Sequence, residues 1–124
     1  FNKTVFFHGR KAHDEIITIQ NQSDFLINFG NDNSCMIPSK IFEYISAKKP
    51  IISLYKIDND ASYSYIKKYP DSILVNEDTS ILKENVKNLR DFISVDYRQK
   101  VDNNFLIDEY YNNTPFPMVK EILK

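Results

Sequence analysis

The stretch "DFLINFGNDNSCMIPSKIFEYISAKKPIISLY", Asp24 to Tyr55, holds an apolar run, a polar loop, a helical pattern and a second apolar run. Strand, helix and strand in that order form the pattern of a parallel βαβ unit. Asp24 to Phe29 reads as a strand closed by Gly30, and Ile51 to Tyr55 as a continuously apolar strand of the kind covered on both faces. Between them Pro38 suits the first turn of a helix, where its missing N–H would be unpaired anyway. Helical spacing puts Ile41, Tyr44, Ile45 and Lys48 on one mostly apolar face, and Lys40, Glu43 and Ala47 on a neighbouring face that can look into a cleft. The helix is expected to end before Pro50.

Outward from this unit the alternation continues. Val5 to His8 reads as a strand ending at Gly9, and Lys11 to Gln22 as a helix with Ala12, Ile16 and Ile19 at helical spacing and Ile17 widening the face. Downstream, Ala61 to Tyr69 is a short helix stopped by Pro70, Ser72 to Asn76 a fourth strand, and Ser80 to Ser94 an amphipathic helix that Asp78 or Thr79 can cap. The helical pattern resumes at Asp96, breaks over Asn112 to Pro117 and closes with a short helix, Met118 to Leu123. Right-handed crossovers through four strands predict a doubly wound parallel sheet, a three-layer α/β/α domain of the Rossmann-like class. Ligands of such a fold sit beyond the carboxyl ends of the strands. The loops Gly9 to Lys11 and Gly30 to Ile37 both open on that edge.

At 124 residues the chain is sized for a single domain, and 16 basic against 17 acidic residues leave a net charge of -1. That balance argues against a general affinity for nucleic acid or anionic membrane, so any partner must be chosen by a local site. Cys35 is the only cysteine, which forbids an intrachain disulfide and suits a reducing compartment; with two histidines it is also a poor basis for structural zinc. No apolar run approaches the ~20 residues of a membrane span, and no signal-peptide pattern opens the chain. These features predict a cytoplasmic protein. A start at Phe1, inside a strand-like run, reads as a domain cut from a longer protein, and the richness in Lys, Ile and Asn suits an AT-rich bacterial genome.

With two glycines in all, neither a G-x-G-x-x-G turn nor a Walker loop can be written. A phosphate would have to be held by a helix N-terminus, whose free N–H groups and positive dipole end suit an anion. Pro38-Ser39-Lys40 offers such a terminus with a hydroxyl and a cation for a diphosphate. Glu43, one turn further on, can accept two hydroxyls of a ribose; equally it can form a surface ion pair with Lys40, worth under ~1 kcal/mol. Spacing leaves these two open. His8 reads as a strand-end packing residue, His13 as a solvated helix residue, and Cys35 as a small buried thiol rather than a nucleophile. Tyr63, Tyr65 and Tyr69 read as a helix face beside the core rather than a platform for stacking bases or sugars.

"FFHGRKAHDEI", "SDFLINFGNDNSCMIPSKIFEYISAKKPII" and "NNTP" together resemble the C-terminal, donor-binding lobe of GT-B fold glycosyltransferases, in particular the glycosyl transferases group 1. The similarity spans nearly the whole chain, and P-S-K-x-x-E-Y before K-P-I-I is its most specific part. It implies that this domain binds a nucleoside diphosphate sugar for transfer to an acceptor hydroxyl in bacterial polysaccharide or glycoconjugate synthesis. Glu43 would then hold the ribose, Ser39 and Lys40 the diphosphate, and Gly9 and Arg10 the base, the last pair being equally compatible with a plain strand-end turn. The family often carries a second glutamate eight positions before the first, where this chain has Cys35, so contacts to the donor sugar or phosphate fall to Asn31, Asp32, Asn33 and Ser34.

No metal or other cofactor is expected, because the helix dipole and basic residues can do what a cation would; the resemblance also implies that the acceptor lobe lies outside this chain, and the isolated domain is then expected to transfer no sugar. An apolar patch is expected where that lobe or a further strand would pack, and any contact with the inner membrane face would come through the lobe. The alternatives on the same fold are a non-catalytic partner-binding module, a sugar-nucleotide epimerase, and a phosphorylase, for which no pyridoxal lysine motif is present.

Overall fold

The structure, a computed structural model, describes residues 5–95 and 101–112. The helical pattern expected over residues 96–100, most of the break that begins at Asn112 and the helix expected over Met118 to Leu123 lie outside the described residues.

β2 (Ile51–Tyr55) is the centre of a three-stranded parallel sheet. It pairs with β1 (Leu26–Phe29) in the register Leu26 to Ile51, and with β3 (Ser72–Asn76) in the register Ile51 to Ser72. A strand with neighbours on both sides and helices above and below has no wet face, which is why "IISLY" is apolar without alternation. The crossover helices α2 (Lys40–Ser46) and α3 (Tyr63–Lys68) both cover the face that bears Ile51. Right-handed connections that add strands in one direction require this shared side.

Ile41 and Ile45 of α2, Ile51 of β2, Ile66 of α3, Tyr69 and Val101 form the buried core, with Tyr44, Tyr65, Leu74, Phe105 and Tyr110 packed against it. On the opposite face α4 (Leu82–Ile93) lies against β3, with Leu82, Val86 and Leu89 near Val75. Phe92 of this helix meets Phe25 at 6.2 Å between ring centroids. Helices therefore stand on both faces of the sheet, in the α/β class the sequence predicts. A 3-10 turn, Thr79–Ile81, leads into α4, and of the two expected caps it is Asp78 that acts, its Oδ1 accepting the Ser80 N–H at 2.8 Å. Those bonds from Ser80 hold the Asp78 carboxyl below the usual carboxylate range.

Several expectations are corrected. The described sheet has three strands in sequential order, not four in a doubly wound one. Val5 to His8 forms no strand, and Val5, Phe6 and Phe7 are exposed. Their composition favours a strand, but β-propensity acts through neighbours, and among the described residues β1 pairs with β2 alone. Helix α1 is His13–Gln22, later than the Lys11 start expected, because the Glu15 carboxylate accepts the Ala12 N–H at 3.0 Å and so sets the helix boundary there. Its buried residue is Gln20, while Ala12, Ile17 and Ile19 face solvent.

Lys48 is not on the apolar face of α2. That helix stops at Ser46, and Lys48 follows with φ +53°, the left-handed turn that commonly closes a helix. Its ammonium reaches the Asn103 side chain of α5 (Asn103–Leu106), which continues as one wide π turn over Ile107–Tyr111. His8, expected to pack at a strand end, is exposed for want of that strand.

The tyrosines are structural. The Tyr69 hydroxyl donates to the Lys49 carbonyl at 3.1 Å, and the Tyr110 hydroxyl to the Tyr65 carbonyl at 3.0 Å, tying the C-terminal helical segment to α3. Tyr65 meets Phe42 edge to face, and Tyr63 meets Tyr55 in the same way. Burial, and after it the Glu109 charge, pushes the Tyr110 phenol up to about 12, and burial raises Tyr69 as well, with smaller contributions from Asp71 and Tyr110. Both folded phenols prefer their protons more than an unfolded tyrosine with pKa about 10. The stability this lends is complete below pH about 10 and is lost as pH rises through the folded values. Melting temperature followed by circular dichroism should therefore fall steeply from pH 10 to 12, and Tyr110→Phe should make that fall shallower.

Candidate functional site

The carboxyl edge of the sheet begins with Gly30, whose N–H donates to the Leu54 carbonyl at 2.7 Å and continues the ladder one residue past β1. The next amide, of Asn31, donates to Asp60 Oδ2 at 3.1 Å. The Asn31 side chain then braces the loop from within: its Oδ1 accepts the Asn33 N–H at 2.8 Å and its Nδ2 donates to the Met36 carbonyl at 3.2 Å. Asn33 Oδ1 accepts the Cys35 N–H at 2.9 Å. Asparagine at positions 31 and 33 suits such side-chain turns. Asp32 instead stands 3.6 Å from Lys56 Nζ, an exposed pair. Cys35 is exposed, not the buried thiol expected, because the braced loop carries it on the surface, with its sulfur 3.8 Å from Ser34 Oγ.

The loop delivers the chain to the head of α2. Ile41 N–H donates to Pro38 O at 3.2 Å and Phe42 N–H to Ser39 O at 3.1 Å, so the amides of Ser39 and Lys40 precede the first bond of the helix. The Ser39 side chain caps no helical amide, and both Ser39 and Lys40 are exposed. Gly9 takes φ +69°, a left-handed turn open on all sides, and with the exposed Arg10 it leads into α1. Glycine suits that turn because it has no Cβ to strain.

Helices α1 and α2 flank a groove of about 460 Å³, lined by His13, Ile17 and Gln20 on one side and by Phe42, Glu43 and Ser46 on the other. Glu43 is half-buried in this wall, and among the described residues no ion pair joins it to Lys40. Of the two meanings open for Glu43, the surface pair is thus absent. Burial, and after it the Glu43 charge, raises the neighbouring Tyr44 phenol above its ordinary range. A second cavity, of about 530 Å³, lies between α2 and the C-terminal helical segment, and its lining of Phe42, Ile45, Leu106, Ile107, Tyr110 and Tyr111 is apolar apart from Ser46 and Asn103. The charged chemistry lies in the first groove.

Of the candidate residues, only Glu43 lines this groove; Ser39 and Lys40 stand at the head of the same helix, and Asn31 to Ser34 form the loop before it. Two further residues acquire a place here. His13 is exposed on α1, as expected, and with Ile17 and Gln20 at helical spacing it also stands on the groove face of that helix. Asp60 is 4% exposed and its signal was D-A-S before a helix, since its Oδ1 accepts the Ser62 N–H at 2.7 Å and the Ser62 hydroxyl as well.

Among the described residues no group of three or more His, Cys, Asp and Glu is placed to hold a metal ion, and no helix is long and apolar enough to cross a membrane. Comparison of the chain with protein-family models, with curated proteins and with solved structures finds no match.

Proposed function

We propose that this chain binds the nucleoside diphosphate part of a sugar nucleotide at the α1–α2 groove, as the donor-binding half of a cytoplasmic glycosyltransferase that builds a polysaccharide or glycoconjugate. The observation that carries this is Glu43, half-buried in the groove wall and unpaired with Lys40, one turn below a helix head that offers a hydroxyl and a cation. From Ser39 to Glu43 the axis advances about 6 Å, a reach that suits a diphosphate followed by a ribose. In this arrangement the Ser39 hydroxyl and Lys40 ammonium meet the diphosphate, and Glu43 accepts the ribose hydroxyls. Gly9, Arg10 and His13 border the base, and the loop from Asn31 to Ser34 meets the sugar. When the bond from sugar to diphosphate breaks, the charge that develops on the leaving diphosphate is met by groups already in position, which lowers the barrier.

Hydrogen bonds to a charged group are worth about 1.5 to 3 kcal/mol, so Glu43→Ala should weaken UDP or GDP binding about ten- to a hundred-fold. The melting temperature should hardly change, because Glu43 belongs to no ion pair among the described residues. Titration of both nucleotides into the two forms, followed by NMR, tests this. Shifts at Gly9, His13, the loop and Glu43 that vanish in the variant are the expected result. Absent shifts, or shifts that survive Glu43→Ala unchanged, would refute the site.

A further inference from the structure

We infer that Asp60 is the positioning residue of the ligand loop, fixing the segment Gly30 to Met36 in the shape that meets the nucleotide; this rests on the nucleotide-binding reading above. Asp60 lies in the connection between β2 and α3, remote in sequence from the loop it holds. Its carboxylate is buried and its two oxygens have separate tasks. Oδ1 accepts from the N–H and hydroxyl of Ser62, which fixes the carboxylate to the start of α3. Oδ2 accepts the Asn31 N–H, and this bond joins the loop to the rest of the fold. From Asn31 the restraint passes outward through side chains alone, to Asn33 and Met36, and from Asn33 to Cys35.

The contact needs Gly30. A Cβ there would stand 2.6 Å from Asp60 Oδ2 and 2.7 Å from the Leu54 carbonyl, so only a residue without a side chain lets the carboxylate approach the loop root so closely. Lys56 and Asp32 add an exposed second tie between the same two connections. A loop anchored in this way is ordered before ligand arrives, and its ordering entropy does not have to be met at binding.

Asp60→Asn in the full chain separates the two tasks. The amide oxygen can still accept from Ser62, but the amide nitrogen now faces the Asn31 N–H, donor against donor. Exchange of the Asn31, Asn33 and Cys35 amides should quicken about tenfold while Ile66 and Tyr69 keep their protection, and UDP affinity should fall about tenfold, the effect of losing one charge-assisted bond. Ser72→Ala is the control: it removes the hydroxyl bonds to the Ile66 and Tyr69 carbonyls at the far end of α3 and leaves loop exchange and affinity unaltered. Unchanged loop exchange in Asp60→Asn would overturn the anchor, and a loosened loop with unchanged UDP affinity would overturn the positioning role. Should UDP not bind the wild-type chain, the nucleotide reading falls and loop exchange alone decides the anchor. If Asp60→Asn does not fold, the wild-type chain decides: the Asn31 amide must exchange at least about tenfold more slowly than that of Asp32, and equal rates would refute the anchor.

Discussion

Ile41→Ala should lower the unfolding free energy by about 2 to 5 kcal/mol, the range for removing a buried aliphatic side chain and leaving a cavity. Ile41 is 0% exposed and belongs to the core cluster with Ile45, Ile51, Ile66 and Tyr69, so no solvent can fill the space it leaves. Domains of this kind are stable by only about 5 to 15 kcal/mol, and a loss of this size removes a large share of that margin. Because Ile41 sits on α2 between Lys40 and Glu43, the variant should also lose ordered signals from the groove. Urea titration followed by circular dichroism measures the effect, with Ile17→Ala on exposed α1 as a reference expected to cost far less. A loss for Ile41→Ala below about 1 kcal/mol would be a surface value and would remove Ile41 from the core.

Gly30→Ala should cost roughly 3 kcal/mol, combining overpacking with loss of a bond to a charged acceptor. The new Cβ would meet Asp60 Oδ2 at 2.6 Å, the Leu54 carbonyl at 2.7 Å and Tyr55 Cα at 3.2 Å. Two of these neighbours are backbone atoms of the central strand, which cannot retreat without loosening the sheet. The third is the carboxylate that holds Asn31. The strand end and the loop should therefore be displaced together, giving both a lower urea midpoint and faster exchange at Asn31. A variant as stable as wild type would show that the sheet edge can yield by several tenths of an ångström, contrary to the tight contact described.

Much of the scaffold was legible in the residues. Ile51 to Tyr55 and Ser72 to Asn76 were read with the bounds the structure has, because a strand covered on both sides has a simple composition. The buried side of α2 followed from Ile41 and Ile45 at helical spacing, and Asp78 stood where a helix cap belongs. These features depend on neighbours within one turn or one strand.

Other features depend on partners far along the chain, and there the local pattern misled or was silent. Val5 to His8 has the composition of a strand but, among the described residues, no strand beside it. Ile27 and Phe29 of β1 remain exposed because the helix on their face covers β3, two positions across the sheet. That the side chains of Asn31 and Asn33 brace the loop's own backbone, and that Asp60 holds its root, no local pattern announced.

The sequence by itself determined a βαβ unit with parallel strands, the face of α2 that enters the core, and the exclusion of glycine-rich phosphate loops. Only the tertiary structure decided that Glu43 shares a groove with His13 instead of pairing with Lys40, and that Asp60 holds the loop behind Gly30. The physical reason is range: periodicity records which side of an element meets the core, whereas a groove wall or a buried carboxylate is set by elements packed together across the fold.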